Sequence, residues 1–159
     1  MTAVPFGDLK AHVSALRPEI DAAVARVLDS GWFILGPEGE AFERELAGSL
    51  QARHAVAVAN GTEAIQLALE ALGLAAGDEV ITSPLTAAFT ALAVLRAGAR
   101  PVFADVDPVT LNVTPETVER ALTPHTRALL PVHLYGHPVD LDPMIEMARN
   151  RGIPLVEDA

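Results

Sequence analysis

The 159-residue chain contains no cysteine and a single lysine. Without cysteine, these residues form no disulfide, no thiolate metal site and no cysteine nucleophile. The one lysine, Lys10, stands near the start of the chain. Chemistry that requires an interior lysine must therefore draw that lysine from elsewhere.

Positive charge is also scarce, with 11 Lys and Arg against 21 Asp and Glu and a formal net charge of −10. Because phosphate backbones and anionic lipids are bound chiefly through clustered basic side chains, we expect no nucleic-acid partner and no membrane partner. No apolar run approaches the ~20 residues that span a bilayer. The first residues do not have the pattern of a secretory signal, so a cytoplasmic location is the default expectation.

The first third of the chain has the spacing of helices. Apolar residues recur at helical intervals over 18–30, and a second helix is predicted over 37–50. Between them lies the segment GWFILG (31–36), which is either a buried loop plug or a surface for substrate or a partner. We predict that residues 1–53 form an N-terminal helical arm with a substrate or interface loop.

From residue 54 the pattern changes to short apolar runs that alternate with helical segments. Strands are predicted at 54–59, 79–82, 101–105, 127–133 and 153–158. Helices are predicted at 62–73, 86–97, 115–122 and 140–151. Continuous apolar strands separated by helices are typical of an α/β fold with a mostly parallel sheet covered by helices on both faces, here over residues 54–159.

A candidate anion site follows the first of these runs, at Asn60-Gly61-Thr62. The N-terminus of a helix offers unpaired backbone N–H groups, and glycine lets an anion approach the backbone closely. The threonine adds a hydroxyl donor. An equally good reading is that Thr62 is only a helix N-cap after an Asn-Gly turn.

A pair of acids, Glu157 and Asp158, ends the last predicted strand. Strand alternation places the two carboxylates on opposite faces. A buried carboxylate requires a cationic or hydrogen-bonding partner, and a protonated heterocyclic nitrogen would serve. The alternative is an acid exposed to solvent or capping a helix.

Metal binding is disfavoured at the two places where ligand-type residues cluster. Asp105 and Asp107 are followed by Pro108, which favours a turn over a cation site. His133 and His137 are four residues apart, but Gly136 and Pro138 exclude a helix there, so we expect no zinc site.

Read in order, several segments resemble the DegT/DnrJ/EryC1/StrS family of pyridoxal phosphate-dependent sugar aminotransferases. They include FILGPEGEAFERELA, AVAVANGTEAIQLALEALGLAAGDEVITSPLTA, GARPVFADVD, TPHTRALLPVHLYGHPVDLDPM and IPLVEDA. The resemblance implies the large domain of an aspartate-aminotransferase-like (fold type I) enzyme. It also implies the cofactor pyridoxal 5'-phosphate and a homodimer with sites at the subunit interface.

The resemblance assigns roles to individual residues. Gly61 and Thr62 match the contacts to the cofactor phosphate, and Asp158 matches the carboxylate that pairs with the pyridine nitrogen. The family usually has an aromatic ring at the position of Ala87, so ring stacking is assigned to Phe89 instead. Four residues lie in segments that face either the substrate or the core: Trp32, Phe33, His133 and Tyr135.

The family's Schiff-base lysine lies downstream of the segment that matches VEDA. This chain has no residue at that position, so no catalytic residue is assigned in it, and we expect a truncated, catalytically incomplete fragment lacking the later strands and the C-terminal domain. The parent enzyme would transfer an amino group from an amino acid, with glutamate as the expected donor, to a nucleotide-linked keto-sugar. A sugar dehydratase of the same family and a regulatory or dimerising remnant are the alternatives.

Overall fold

The computed structural model describes residues 7–159, which divide into two compact units. The first unit ends at Ala57, and the second runs from Val58 to Ala159. Within the described residues, no helix combines the length and the apolar character that a membrane crossing requires.

The described part of the first unit is helical. Its helices are α1 (Leu9–Ala15), α2 (Arg17–Ser30) and α3 (Pro37–Ser49). The structure confirms the two predicted helices, α2 and α3. Helix α1 was not predicted; the side chain of Asp8 caps it by accepting the N–H of Ala11.

The turn between α2 and α3 carries the apolar segment 31–36, and here the buried alternative is wrong. Trp32 and Phe33 are both exposed. The indole N–H of Trp32 donates to the carbonyl of Ile34 at 2.8 Å, which folds the segment onto its own backbone. Gly36 closes the turn, where a Cβ would lie 2.9 Å from the Trp32 carbonyl oxygen, so only glycine fits.

An ion pair joins the two longer helices of this unit. The guanidinium of Arg26 donates to both carboxylate oxygens of Glu38, at 2.7 and 3.0 Å. The hydrogen bond from Arg26 lowers the pKa of Glu38, and the same bond raises the pKa of Arg26. Both side chains are largely exposed, so the pair contributes little to stability.

The second unit is an α/β layer structure with a three-stranded parallel sheet. Its strands lie in the order β2 (Arg100–Phe103), β1 (Glu79–Thr82) and β3 (Thr126–Leu130). Its helices are α4 (Gly61–Ala71), α5 (Ala88–Arg96), α6 (Pro115–Ala121) and α7 (Leu141–Arg151). All four helices and the parallel arrangement match the sequence prediction.

The core lies on both faces of this sheet because strand residues alternate between them. Val80 and Leu130 pack with side chains of α4 and α5. Ile81 and Leu129, their neighbours in the chain, pack with side chains of α6 and α7. The predicted cover of helices on both faces is therefore confirmed.

The predicted strand at 54–59 is wrong, since these residues form no strand. Two backbone N–H groups of this segment donate to side-chain carboxylates and not to a neighbouring strand. The N–H of Ala57 donates to Glu43 at 2.7 Å, and the N–H of Ala59 donates to Glu63 at 2.9 Å. Alternating apolar residues indicate a strand only where a neighbouring strand supplies the pairing.

The last predicted strand, 153–158, runs parallel to β3 but forms only two isolated bridges. These bridges join Leu129 to Leu155 and Val132 to Asp158. Between them lies Pro131, which has no N–H to continue the ladder. The same proline explains why β3 ends at Leu130 and not at the predicted residue 133.

Candidate functional site

A cavity of about 880 Å³ in the second unit brings together six of the eight predicted site residues: Gly61, Thr62, Phe89, His133, Tyr135 and Asp158. Phe89 lies in the helix that follows β1, and His133 and Tyr135 follow β3, at the carboxyl end of the sheet, where sites in open α/β folds are normally found. The other two, Trp32 and Phe33, belong to the first unit, and their role stays a prediction.

One wall of the cavity is the start of α4, and its geometry excludes one of the two readings of Thr62. The N-cap is Asn60, whose side chain accepts the N–H of Glu63 at 2.9 Å. Thr62 therefore does not cap the helix, and that alternative is wrong. Among the described residues, the N–H groups of Gly61 and Thr62 have no acceptor, so they are available to an anion.

Among the described residues, neither the backbone conformation nor a neighbouring atom requires glycine at position 61. Its φ is outside the left-handed region, and a Cβ at this position would meet no atom within 4 Å. The absence of a side chain leaves the backbone N–H groups at the start of α4 open to close approach by a ligand.

The cavity is also lined by Asp158, which is held in place by its backbone and by its side chain. Its N–H donates to the carbonyl of Pro131 at 3.0 Å, and its carbonyl accepts the N–H of His133 at 2.9 Å. Its carboxylate oxygen Oδ2 accepts the hydroxyl of Thr90 at 2.7 Å. A carboxylate fixed in this way suits a cationic or hydrogen-bonding group of a ligand.

Thr90 is a site residue that the sequence analysis missed. It lies in the first turn of α5, 68 residues before Asp158 in the chain, and it is only 3% exposed. Its contact with Asp158 depends on how α5 packs beside the end of the sheet. A single sequence carries no signal for a pair so far apart.

His133 lines the cavity, but both of its ring nitrogens have partners in the chain. The N–H of Val139 donates to Nδ1 at 3.0 Å, so Nδ1 carries no proton and Nε2 carries the hydrogen of the neutral ring. Nε2 lies 3.1 Å from the carboxylate of Glu157 and donates to it. Any contact of His133 with a substrate would therefore use the face of its ring.

Phe89 and Tyr135 present aromatic rings at the cavity. Phe89 follows directly on Ala88, the first residue of α5, while Ala87 is the N-cap of that helix. Tyr135 lies in a 3₁₀ turn (Leu134–Gly136), is 91% exposed and has a φ of 55°. That left-handed conformation is strained for a non-glycine residue, as is often seen at functional sites.

Asp107 forms the turn that the sequence analysis favoured over a metal site. Its carboxylate accepts the N–H groups of Val109 and Thr110 at 2.9 and 2.8 Å, and these bonds lower its pKa. Within residues 7–159, the structure places no three acidic or histidine side chains in a metal-binding group.

Comparison with known proteins identifies the family. The model of the DegT/DnrJ/EryC1/StrS aminotransferase family matches residues 14–159. The chain belongs to this family. The resemblance found in the sequence is thereby confirmed.

Among its relatives, dTDP-3-amino-3,4,6-trideoxy-alpha-D-glucose transaminase of Streptomyces venezuelae is 53% identical over 156 residues, which are 98% of this chain and 41% of that protein. The chain therefore spans about two fifths of the length of this curated relative.

Two solved structures show the same fold. The structure of S. venezuelae DesV has a TM-score of 0.97 and 52% identity, over 100% of this chain and 43% of that chain. NtdA of Bacillus subtilis, solved with bound cofactor PMP, has a TM-score of 0.93 and 36% identity, over 100% of this chain and 37% of that chain. These family members confirm the expected aspartate-aminotransferase-like fold.

Proposed function

We propose that this chain is the cofactor-anchoring part of a pyridoxal phosphate-dependent aminotransferase that acts on a nucleotide-linked keto-sugar. One observation carries the proposal. Two groups of opposite character line a single cavity: the unpaired N–H donors of Gly61 and Thr62, and the carboxylate of Asp158.

The chemistry of these groups fits the two ends of pyridoxal phosphate. A phosphate is an anion, and the start of α4 offers it two backbone N–H groups, the hydroxyl of Thr62 and the positive end of a helix dipole. The pyridine ring carries a nitrogen that becomes cationic on protonation, for which the carboxylate of Asp158 is a suitable partner. The open space beside Gly61 leaves room for the phosphate.

When bound, the cofactor would supply an electron sink for the electron pair that remains on the carbon next to the amino group when its proton leaves. The residues of this chain hold and orient it. Gly61 and Thr62 would hold the phosphate, Asp158 would keep a proton on the ring nitrogen, and Phe89, which lines the same cavity, would pack against the ring. Proton transfer at the reacting carbon requires a further base, and the chain's one lysine, Lys10, lies in α1 of the first unit.

The substrate class comes from the relatives. The S. venezuelae relative is named as the transaminase of a dTDP-linked amino-sugar. We infer that the whole protein takes a nucleotide-linked keto-sugar as acceptor and an amino acid, glutamate in the first instance, as donor. We also propose a homodimer, a cytoplasmic location and contacts of Trp32, Phe33, His133 and Tyr135 with the substrate; these rest on the family resemblance.

Titration of the purified protein with pyridoxamine 5'-phosphate, followed by calorimetry, tests the proposal. This amine form of the cofactor has no aldehyde to react with Lys10, so only the anchoring groups are measured. We expect one site per chain. Gly61→Ala should weaken binding at least ~10-fold by filling the space of the phosphate, although alanine is the better helix former.

Asp158→Asn should weaken binding by about 100-fold, because it removes the charge opposite the ring nitrogen. Asp105→Asn is the matched control, since Asp105 lies just after β2 and does not line the cavity. The proposal is wrong if the protein does not bind this cofactor, or if the Gly61 and Asp158 variants bind it as tightly as the control.

A further inference from the structure

The hydrogen bond between Thr90 and Asp158 joins a helix to the end of the sheet inside the cavity. The hydroxyl of Thr90 lies 2.7 Å from Oδ2 of Asp158, and an ionised carboxylate only accepts, so Thr90 is the donor. Short bonds from a hydroxyl to a carboxylate are among the stronger hydrogen bonds in proteins. The bond therefore restricts the orientation of the carboxylate.

A second threonine extends this contact. Oγ1 of Thr86 lies 3.4 Å from Oγ1 of Thr90. Because Thr90 has one hydroxyl hydrogen and gives it to Asp158, Thr86 must be the donor in its contact with Thr90. Both threonines line the cavity, and they form a short chain of donors that ends on the carboxylate.

Thr90 occupies only one of the two carboxylate oxygens. Within the described residues, Oδ1 of Asp158 has no hydrogen-bond partner. The backbone bonds of Asp158 to Pro131 and His133 fix where its side chain begins, and Thr90 fixes how its end is turned. The remaining oxygen is then held ready for a group in the cavity.

We propose that Thr90 is a positioning residue that acts through Asp158 by turning this carboxylate toward the nitrogen of a bound heterocycle. The inference rests on the proposed function, since it requires the cofactor ring to meet Asp158. A carboxylate that is already oriented gives up less conformational freedom when the ligand binds. Loss of the Thr90 hydroxyl should therefore weaken cofactor binding through its effect on Asp158.

A double-mutant cycle measured with pyridoxamine 5'-phosphate tests this inference. Thr90→Val removes the hydroxyl and keeps the shape of the side chain. We expect it to weaken binding about 10-fold in the wild-type background and to have no effect in the Asp158→Asn background. Thr90→Ser, which keeps the hydroxyl, should restore binding to within about 2-fold of wild type.

Thr117→Val is the control for a purely structural effect. Thr117 is also a buried threonine, in the capping box of α6, and it does not line the cavity. This variant should lower the unfolding temperature and leave cofactor affinity unchanged. If Thr117→Val weakens binding as much as Thr90→Val does, the effect of Thr90 is general destabilisation, and the inference is wrong.

The outcomes separate the inference from the proposed function. If Asp158→Asn weakens binding and Thr90→Val does not, only the role of Thr90 is overturned. The same conclusion follows if the effects of the two substitutions add in the double variant. If neither substitution changes binding, or if the wild-type protein does not bind the cofactor, the proposed function itself fails.

Discussion

The buried carboxylate of Glu79 gives a stability prediction that can be worked from its contacts. Glu79 begins β1 and is almost completely buried. One carboxylate oxygen accepts the hydroxyl of Thr123 at 2.6 Å, and the other accepts the guanidinium of Arg100 at the start of β2. The carboxylate therefore ties together β1, β2 and the segment that leads into β3.

Glu79→Gln keeps the size of the side chain and removes its charge. Removing one partner of a buried ion pair costs 3–5 kcal/mol when the other charge is left buried. That large penalty does not apply here, because the Arg100 side chain is 66% exposed and stays hydrated. We expect a loss of about 1–2 kcal/mol, the charge-dependent part of two hydrogen bonds.

The effect should depend on pH with a definite sign. The hydrogen bond from Thr123 is the main cause that lowers the pKa of Glu79 below its ordinary value of 4.5, with Arg100 contributing and burial opposing. A carboxylate whose pKa is lowered by folding stabilises the protein above its unfolded pKa, and this contribution is lost as the pH falls toward the folded pKa. The free energy of unfolding of wild type should therefore exceed that of Glu79→Gln by its largest amount at pH 7, and this difference should shrink below about pH 4.5.

Urea denaturation at a series of pH values measures this difference directly. Glu146→Gln is the matched control, because Glu146 is exposed and has no hydrogen-bond or ion-pair partner among the described residues. The control should change stability by no more than about 0.5 kcal/mol. An equal loss for both variants, or a Glu79→Gln difference that stays constant from pH 7 to pH 3, would refute the reasoning.

Three further variants test other parts of the structure by thermal or urea unfolding. Leu69→Ala should lower the free energy of unfolding by about 2–5 kcal/mol, because Leu69 is 0% exposed. Leu67→Ala on the same helix should cost far less, since Leu67 is 43% exposed. Similar losses for the two variants would contradict the assigned core face of α4. Asn60→Ala should cost about 1 kcal/mol by removing the cap of α4, and Asn150→Ala, at an exposed position, should cost almost nothing. Tyr135→Asn should stabilise the protein by about 0.5–1 kcal/mol, since asparagine tolerates a φ of 55° better than tyrosine; a loss of stability would show that the exposed ring makes a contact that matters.

The sequence was a good guide to local structure and to the family. Four helices and three strands of the second unit were predicted because their apolar residues are regularly spaced and each element has its own turn or cap signals. The strand predicted at 54–59 is wrong because the spacing of apolar residues does not show whether a neighbouring strand is available for pairing. Apolar alternation describes side chains, whereas pairing depends on a neighbour, and here the donors of Ala57 and Ala59 are bonded to carboxylates.

The site residues that could be predicted were also those with a local signal in the sequence, and contacts between distant segments could not be predicted. Gly61, Thr62 and Asp158 were identified from their positions at the ends of predicted elements and from the family resemblance. The N-cap role of Asn60 could have been preferred over that of Thr62, because asparagine is among the strongest capping residues. The bond from Thr90 to Asp158 was out of reach, because it joins residues 68 positions apart and depends on tertiary packing.

The central claim is that the start of α4 and the carboxylate of Asp158 hold opposite ends of one cofactor molecule. A crystal structure of the protein with pyridoxamine 5'-phosphate tests this most directly. The account predicts the phosphate within hydrogen-bond distance of the Gly61 and Thr62 N–H groups, and the ring nitrogen within hydrogen-bond distance of Asp158. A cofactor bound elsewhere, or bound here with its phosphate toward Asp158, would contradict it.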